Sequence, residues 1–80
     1  MINLGKHGKL APAEVAQKAT NFFGPGRLGL TVNATGENST RFEGGGGFVE
    51  VEAALATHGS DVVILSQEWE NQARQFLEKI

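Results

Sequence analysis

Arg41, Glu43, Glu50 and Glu52 are the ionisable residues whose spacing could make them act together. They alternate with Phe42, Val49 and Val51, so on extended chain they would project from one face. Carboxylates gathered in this way can divide acid and base work only where burial drives their pKa values apart. On a solvated strand they form a polar surface instead, with Arg41 and Arg27 balancing them at ~0.2–1 kcal/mol per favourable cross-strand pair. The four residues are therefore the candidate interaction surface, and no residue is assigned a catalytic role. Whether the chain is an enzyme is left open by a sequence that offers no catalytic constellation.

The other reactive side chains stand apart. His7 and His58 sit far from each other among small or polar neighbours, and a shared metal site would require the N-terminal segment to fold onto a distant loop. Both are expected to be solvated, and no metal site is predicted. Ser39, Ser60 and Ser66 have no histidine in a triad-like context, so turn and cap roles suffice, Ser66 as the N-cap of a C-terminal helix. Cysteine is absent, which removes disulfides, thiolate nucleophiles and cysteine-based zinc sites together.

Three glycine-rich stretches invite a phosphate reading. Residues 24–29, GPGRLG, satisfy a bare GxGxxG, but a dinucleotide fingerprint follows a strand and opens a helix. Here a helix ends and a strand begins. Residues 5–9, GKHGK, lack the spacing of a P-loop, and Leu10 stands where its hydroxyl residue would be. Gly44–Gly47 joins two strands, so no helix N-terminus follows to add its dipole, and no lysine follows to meet a phosphate. A hairpin turn with positive φ angles is the expected reading, with a flat segment under a bulky group such as Trp69 or Phe48 as the alternative. No cofactor is predicted.

The elements that must position these residues follow from hydrophobic period. In AEVAQKATNFF, Val15, Ala16, Ala19, Phe22 and Phe23 recur at helical spacing and Glu14 lies four residues before Lys18. Pro12 suits the first turn, and Gly24-Pro25 stops the helix. Trp69, Ala73, Phe76, Leu77 and Ile80 define a second amphipathic helix, on which Trp69 is expected to anchor the helix to a sheet. Between them LGLTVNAT places Leu28, Leu30, Val32 and Ala34 on one face, and FVEVEAAL places Val49, Val51, Ala53 and Leu55 on one face. A short strand over 40–43 and a more continuously apolar one at DVVIL complete the set, with turns at Gly36-Glu37-Asn38 and His58-Gly59-Ser60. Short connections favour antiparallel neighbours. The predicted fold is α+β, a two-layer sandwich in which a four-stranded antiparallel meander carries N- and C-terminal helices on one face, in the order α-β-β-β-β-α.

Length and composition set the bounds. Eighty residues allow one domain, burying roughly 60–65% of the surface exposed by the unfolded chain. A composition of 40% hydrophobic and 20% charged residues is that of a folded protein. Residues 1–10 are expected to be a mobile N-terminal segment and residues 11–80 the domain. A formal charge of −2 argues against the dense basic surface of nucleic-acid binders. Neither an export signal nor a membrane span is read from the chain, so a cytoplasmic location is expected and the Asn33 and Asn38 sequons are chance matches.

FEGGGGFVEV, DVVILS and QEWENQARQFL, taken together, resemble small uncharacterised proteins of cyanobacterial type over residues 24–80, a likeness that implies no activity. The C-terminal part also resembles the helix-grip (START-like) superfamily, which implies a curved antiparallel sheet preceding a long C-terminal helix. The predicted function is a small protein-interaction or regulatory module with a protein partner or a homodimer contact. The alternative is a binder of a small apolar ligand between sheet and helices.

Overall fold

The computed structural model describes residues 1–25, 27–36 and 38–80. Gly26 of the GPGRLG stretch and Glu37 of the predicted turn lie outside them. Seven elements follow in the order β1 (Ile2–Gly8), α1 (Pro12–Phe23), β2 (Thr31–Thr35), β3 (Ser39–Gly44), β4 (Gly47–Leu55), β5 (Ser60–Gln67) and α2 (Glu70–Glu78). The five strands form one antiparallel sheet in the order β1-β5-β4-β3-β2.

The four-stranded meander expected from the sequence is β2 to β5, and the N-terminal segment adds a fifth strand. Within residues 1–10, expected to be a mobile segment, Ile2–Gly8 forms a strand that pairs with β5 from Ile2↔Ser66 to Gly8↔Ser60 without a shift of register. Ile2 and Leu4, two residues apart, turn towards the face that carries Ile64 and Val62, which gives this short stretch apolar surface to bury. Because β1 and β2 lie at opposite edges, the chain between them must traverse the sheet. Four strand spacings of ~4.8 Å amount to about 19 Å, and the 12 residues of α1 supply about 18 Å at ~1.5 Å each.

Alternation decides what is buried. Thr40 and Phe42 of β3, Val49, Val51 and Ala53 of β4, and Ser60, Val62, Ile64 and Ser66 of β5 are buried. Their apolar members share one cluster with Val15, Ala19, Phe22 and Phe23 of α1 and Ala73, Phe76 and Leu77 of α2. Phe23 stands at the centre, with ring centroids 5.5 Å from Phe42 and 5.4 Å from Phe76, distances at which tilted aromatic pairs attract.

The apolar alternation fails in β2 and at the end of β4. β2 begins only at Thr31, and its register shifts between Val32 and Ala34, so the period of two is broken. Leu30 is buried, Val32 is 39% exposed and Ala34 is exposed. Leu55, at the far end of β4, is 78% exposed.

Local chemistry sets the helix ends. Ala11 has no side-chain acceptor with which to cap α1, and Glu14 compensates in part by accepting the Ala11 N–H at 3.3 Å. Glu14 is thereby drawn to the helix start, and no ion pair joins it to Lys18 among the described residues. α2 starts one residue after Trp69, its N-cap. Ser66, predicted to be that cap, is instead a β5 residue with 0% exposure whose hydroxyl has no hydrogen-bond partner among the described residues. The strand runs on to Gln67 because alternation continues two residues past DVVIL. At the other end of α2, Lys6, on the same face of β1 as Ile2 and Leu4, donates to the Leu77 carbonyl at 2.7 Å, placing a cation at the negative end of the helix dipole.

Candidate functional site

The sequence-predicted surface residues gather on the polar face of the sheet. Arg41 lies directly opposite Glu50 across β3 and β4, and Glu43 lies opposite Phe48. Arg41 Nε meets Glu43 Oε2 at 2.8 Å, and its Nη1 lies 3.9 Å from Glu50 Oε2. Asn33 from β2 donates to the same Glu43 oxygen at 2.8 Å. The Arg41 guanidinium carbon stands 4.0 Å from the centroid of the Phe48 ring, so charge, hydrogen bonding and cation–π attraction hold one arginine in place. Glu52 does not join this group. It is exposed, opposite Ser39 and Val63, with no ion pair among the described residues.

These side chains line an open groove of about 550 Å³ whose walls are Thr31, Asn33, Arg41, Glu43, Phe48 and Gln67. The backbones of Gly44, Gly46 and Gly47 close one end. Beside it, Val63 is 38% exposed and Leu65 half-buried on the same face. The surface is polar around an arginine and aromatic centre, with apolar side chains towards β1.

The glycine run is a turn, and it is also a seat. Gly44 and Gly47 face each other as the last pair of β3 and β4, while Gly45 and Gly46 have φ of +59° and +81°. Two consecutive positive φ angles in a two-residue connection are what a tight hairpin with right-twisted strands requires. Trp69 Nε1 donates to the Gly44 carbonyl at 2.9 Å, and its ring lies against Gly45, where a Cβ would come within 2.8 Å of Cζ2. The turn expected of FEGGGGFVEV is therefore what forms, and the bulky group packs on Gly45 of the turn itself, not on a flat strand segment. The run leads into β4, with no helix start to receive an anion.

Of the histidines, His58 is exposed in the β4–β5 connection, and His7 pairs with Asp61 across β1 and β5 at 2.9 Å. That pair could not be found by reading residues 1–10 as a tail; the apolar residues at Ile2 and Leu4 were the available signal. Among the described residues, no group of three His, Asp or Glu side chains is placed to hold a metal ion, and no helix is long and apolar enough to cross a membrane. Ser60 donates to the Leu10 carbonyl at 2.6 Å and ties the end of β1 to β5.

No protein-family model, curated protein or solved structure matches this chain.

Proposed function

We propose that the chain is a small protein-interaction module that works through its sheet, with a second copy paired along β1 as the partner. The observation that carries this reading is the state of the two sheet edges. Free edges expose backbone N–H and C=O groups that template a further strand, and proteins blunt them with bulges, prolines or very short strands. β2 has such a device, five residues with a shift after Val32. β1 has seven residues in unbroken register, without proline or bulge.

Its residue order also suits self-pairing. A two-fold axis through Gly5, the middle of the strand, sets Ile2 opposite Gly8 of the other copy, Asn3 opposite His7, Leu4 opposite Lys6 and Gly5 opposite itself. No like charges meet, and every residue of β1 is used. The finer layering expected from the sequence belongs to the same proposal. Val15, Phe22, Phe23 and Phe76 share one cluster with Phe42, Val49 and Ile64, which supports both helices lying on one face and the other face remaining open. In the paired form two such faces become continuous: Val63 and Leu65 of each copy flank the seam, and Arg41, Glu43, Glu50 and Glu52 lie on the wings. Arginine and aromatic residues held as Arg41 and Phe48 are held are the types enriched at contact centres.

A small apolar ligand between sheet and helices has less support, because that space is filled by Val15, Phe23, Phe42, Val49, Ile64 and Phe76, each at most 1% exposed.

Sedimentation velocity across a wide concentration range tests the pairing. One short strand makes a small interface, so the dimer is expected to be weak and to grow with concentration. Gly5 is the position to vary, since an added Cβ meets only the Val62 carbonyl, at an ordinary 3.7 Å. Gly5→Lys places two like charges across the axis and should give a folded monomer, whereas Gly5→Val should strengthen the dimer. A chain that stays monomeric at every concentration, or a dimer indifferent to Gly5→Lys, overturns the proposal.

A further inference from the structure

The helical side of the molecule holds a second concavity, a cleft of about 180 Å³ between α1 and α2. Its floor is made by Phe22 and Phe76, 4% and 1% exposed. Its walls are Lys18 and Asn21 from α1, Arg27 from the following loop, and Lys79 at the end of α2. Three of the seven lysines and arginines of a chain with net charge −2 thus converge on one small cleft.

Among the described residues none of the three cations has a carboxylate within ion-pair distance, in contrast to Arg41, which has two. Glu14, the carboxylate four residues before Lys18, is occupied with the Ala11 N–H.

Lysines near helix C-termini often cap free carbonyls, but four carbonyls at these helix ends have other donors. Thr20 O accepts from Gly24 N at 2.9 Å, and Phe23 O accepts from Leu30 N at 3.0 Å. Phe76 O accepts from Lys79 N at 2.9 Å, and Leu77 O accepts from Lys6 Nζ at 2.7 Å. Lys18, Arg27 and Lys79 line the cleft, and among the described residues none of their side chains makes a hydrogen bond.

Arg27 is also held in position. Its guanidinium carbon lies 4.4 Å from the centroid of the Phe22 ring, and a guanidinium over a ring keeps its N–H edge available for paired hydrogen bonds to an oxyanion. The Asn21 amide supplies a further donor.

We infer that this cleft is a binding site for a phosphate group, taken up as inorganic phosphate or as a phosphate monoester. The class follows from charge and size. A carboxylate would leave most of the converging positive charge unmatched, whereas a phosphate group carries up to two negative charges and several acceptor oxygens. The cleft is smaller than the roughly 300–1,000 Å³ typical of whole drug-sized ligands, so it fits one charged group and leaves any substituent outside.

The test is a titration of the intact chain with inorganic phosphate and, separately, with glycerol 3-phosphate, at ionic strength held constant with chloride. Binding is followed through the Asn21 side-chain amide and Arg27 Nε–H resonances. Saturable shifts confined to the cleft are expected. Lys18→Gln, Arg27→Gln and Lys79→Gln should each weaken binding roughly tenfold, the effect of removing one charge-assisted hydrogen bond. Arg74→Gln, on an exposed residue of α2 outside the cleft, should not. Tighter binding of the ester would show that a substituent is read as well, and equal binding that the phosphate group alone is recognised; both support the site. Shifts that grow linearly without saturation, or affinity unchanged by all three cleft variants while their folds are intact, overturn it.

Discussion

Alanine at Gly45 should cost more than alanine at Gly46, and the excess should disappear when Trp69 is removed. Both glycines have positive φ, +59° and +81°, so each alanine bears about 1–2 kcal/mol for entering the left-handed region. At Gly46 that is the whole effect, because an added Cβ meets nothing within 4 Å. At Gly45 the Cβ would stand 2.8 Å from Trp69 Cζ2, against a normal carbon contact of ~3.5–4.0 Å. The indole cannot withdraw freely, since its N–H is bonded to the Gly44 carbonyl and its ring packs against the core. Displacing it loosens a hydrogen bond with a net value of about 0.5–1.5 kcal/mol and disturbs packing, where overfilling costs ~1–3 kcal/mol. Gly45→Ala is therefore expected to cost about 3–6 kcal/mol in the natural chain and about 1–2 kcal/mol beside Trp69→Ala. Trp69→Ala alone should cost about 2–3 kcal/mol, less than a fully buried aromatic because the ring is only partly buried. Urea unfolding followed by far-UV circular dichroism measures all four chains of the cycle, since Trp69 is the sole tryptophan and its fluorescence goes with it. Equal costs for Gly45→Ala in the two backgrounds would refute the seating of the indole on the turn.

Ser66→Ala should stabilise the fold by about 1 kcal/mol, because it removes a buried hydroxyl without a partner among the described residues; urea unfolding showing a loss would mean that the hydroxyl is bonded in solution. Lys6→Met should cost about 1 kcal/mol in the same assay, by leaving the Leu77 carbonyl without its charged donor, and no change would place the lysine head in water. Amide exchange at low protein concentration should show protection within Ile2–Gly8 at alternate residues, those whose N–H faces β5, whereas uniform rapid exchange would restore the N-terminal segment to a mobile tail.

What could be read from the sequence was what depends on one clear period. α1 and the run from Val49 to Ala53 repeat without interruption, and both appear where the period puts them. Arg41, Glu43 and Glu50 were legible as neighbours for the same reason: alternation is a local property, and it brought them onto one face before any tertiary contact was known. β1 was not legible because it has only Ile2 and Leu4 on the face shared with Ile64 and Val62, after which Lys6 takes the third position. A lysine there breaks the apolar pattern, and only its distant partner, the Leu77 carbonyl, explains it. Ser66 misled for a related reason, since serine before an amphipathic run is a good cap signal, while its burial in β5 depends on pairing with Val49 and Ile2. The convergence of Lys18, Arg27 and Lys79 is set by how α1 and α2 pack through Phe22 and Phe76, and no local spacing encodes it.

The sheet surface and the cleft between α1 and α2 carry different charge, and this separates the two proposals experimentally. The polar sheet face carries Glu43, Glu50, Glu52 and Asp61 against Arg41 and His7, while Lys18, Arg27 and Lys79 gather between the helices. Pairing along β1 rests on backbone hydrogen bonds and sets no ion pair across its axis, so added chloride should leave the dimer intact. Phosphate binding rests on three cations at a solvent-facing cleft, and the same chloride should weaken it. A third arrangement is also implied by this division, in which the acidic face of one copy meets the basic cleft of the next. Such a contact is heterologous and has no reason to close at two copies, so it would show as growth beyond dimers that collapses with salt. Sedimentation at low and high chloride distinguishes these cases on one sample. A dimer that persists in salt, together with phosphate affinity that falls, supports both assignments. Assembly that dissolves in salt would mean that electrostatic attraction between unlike faces, and not the free edge of β1, holds the copies together.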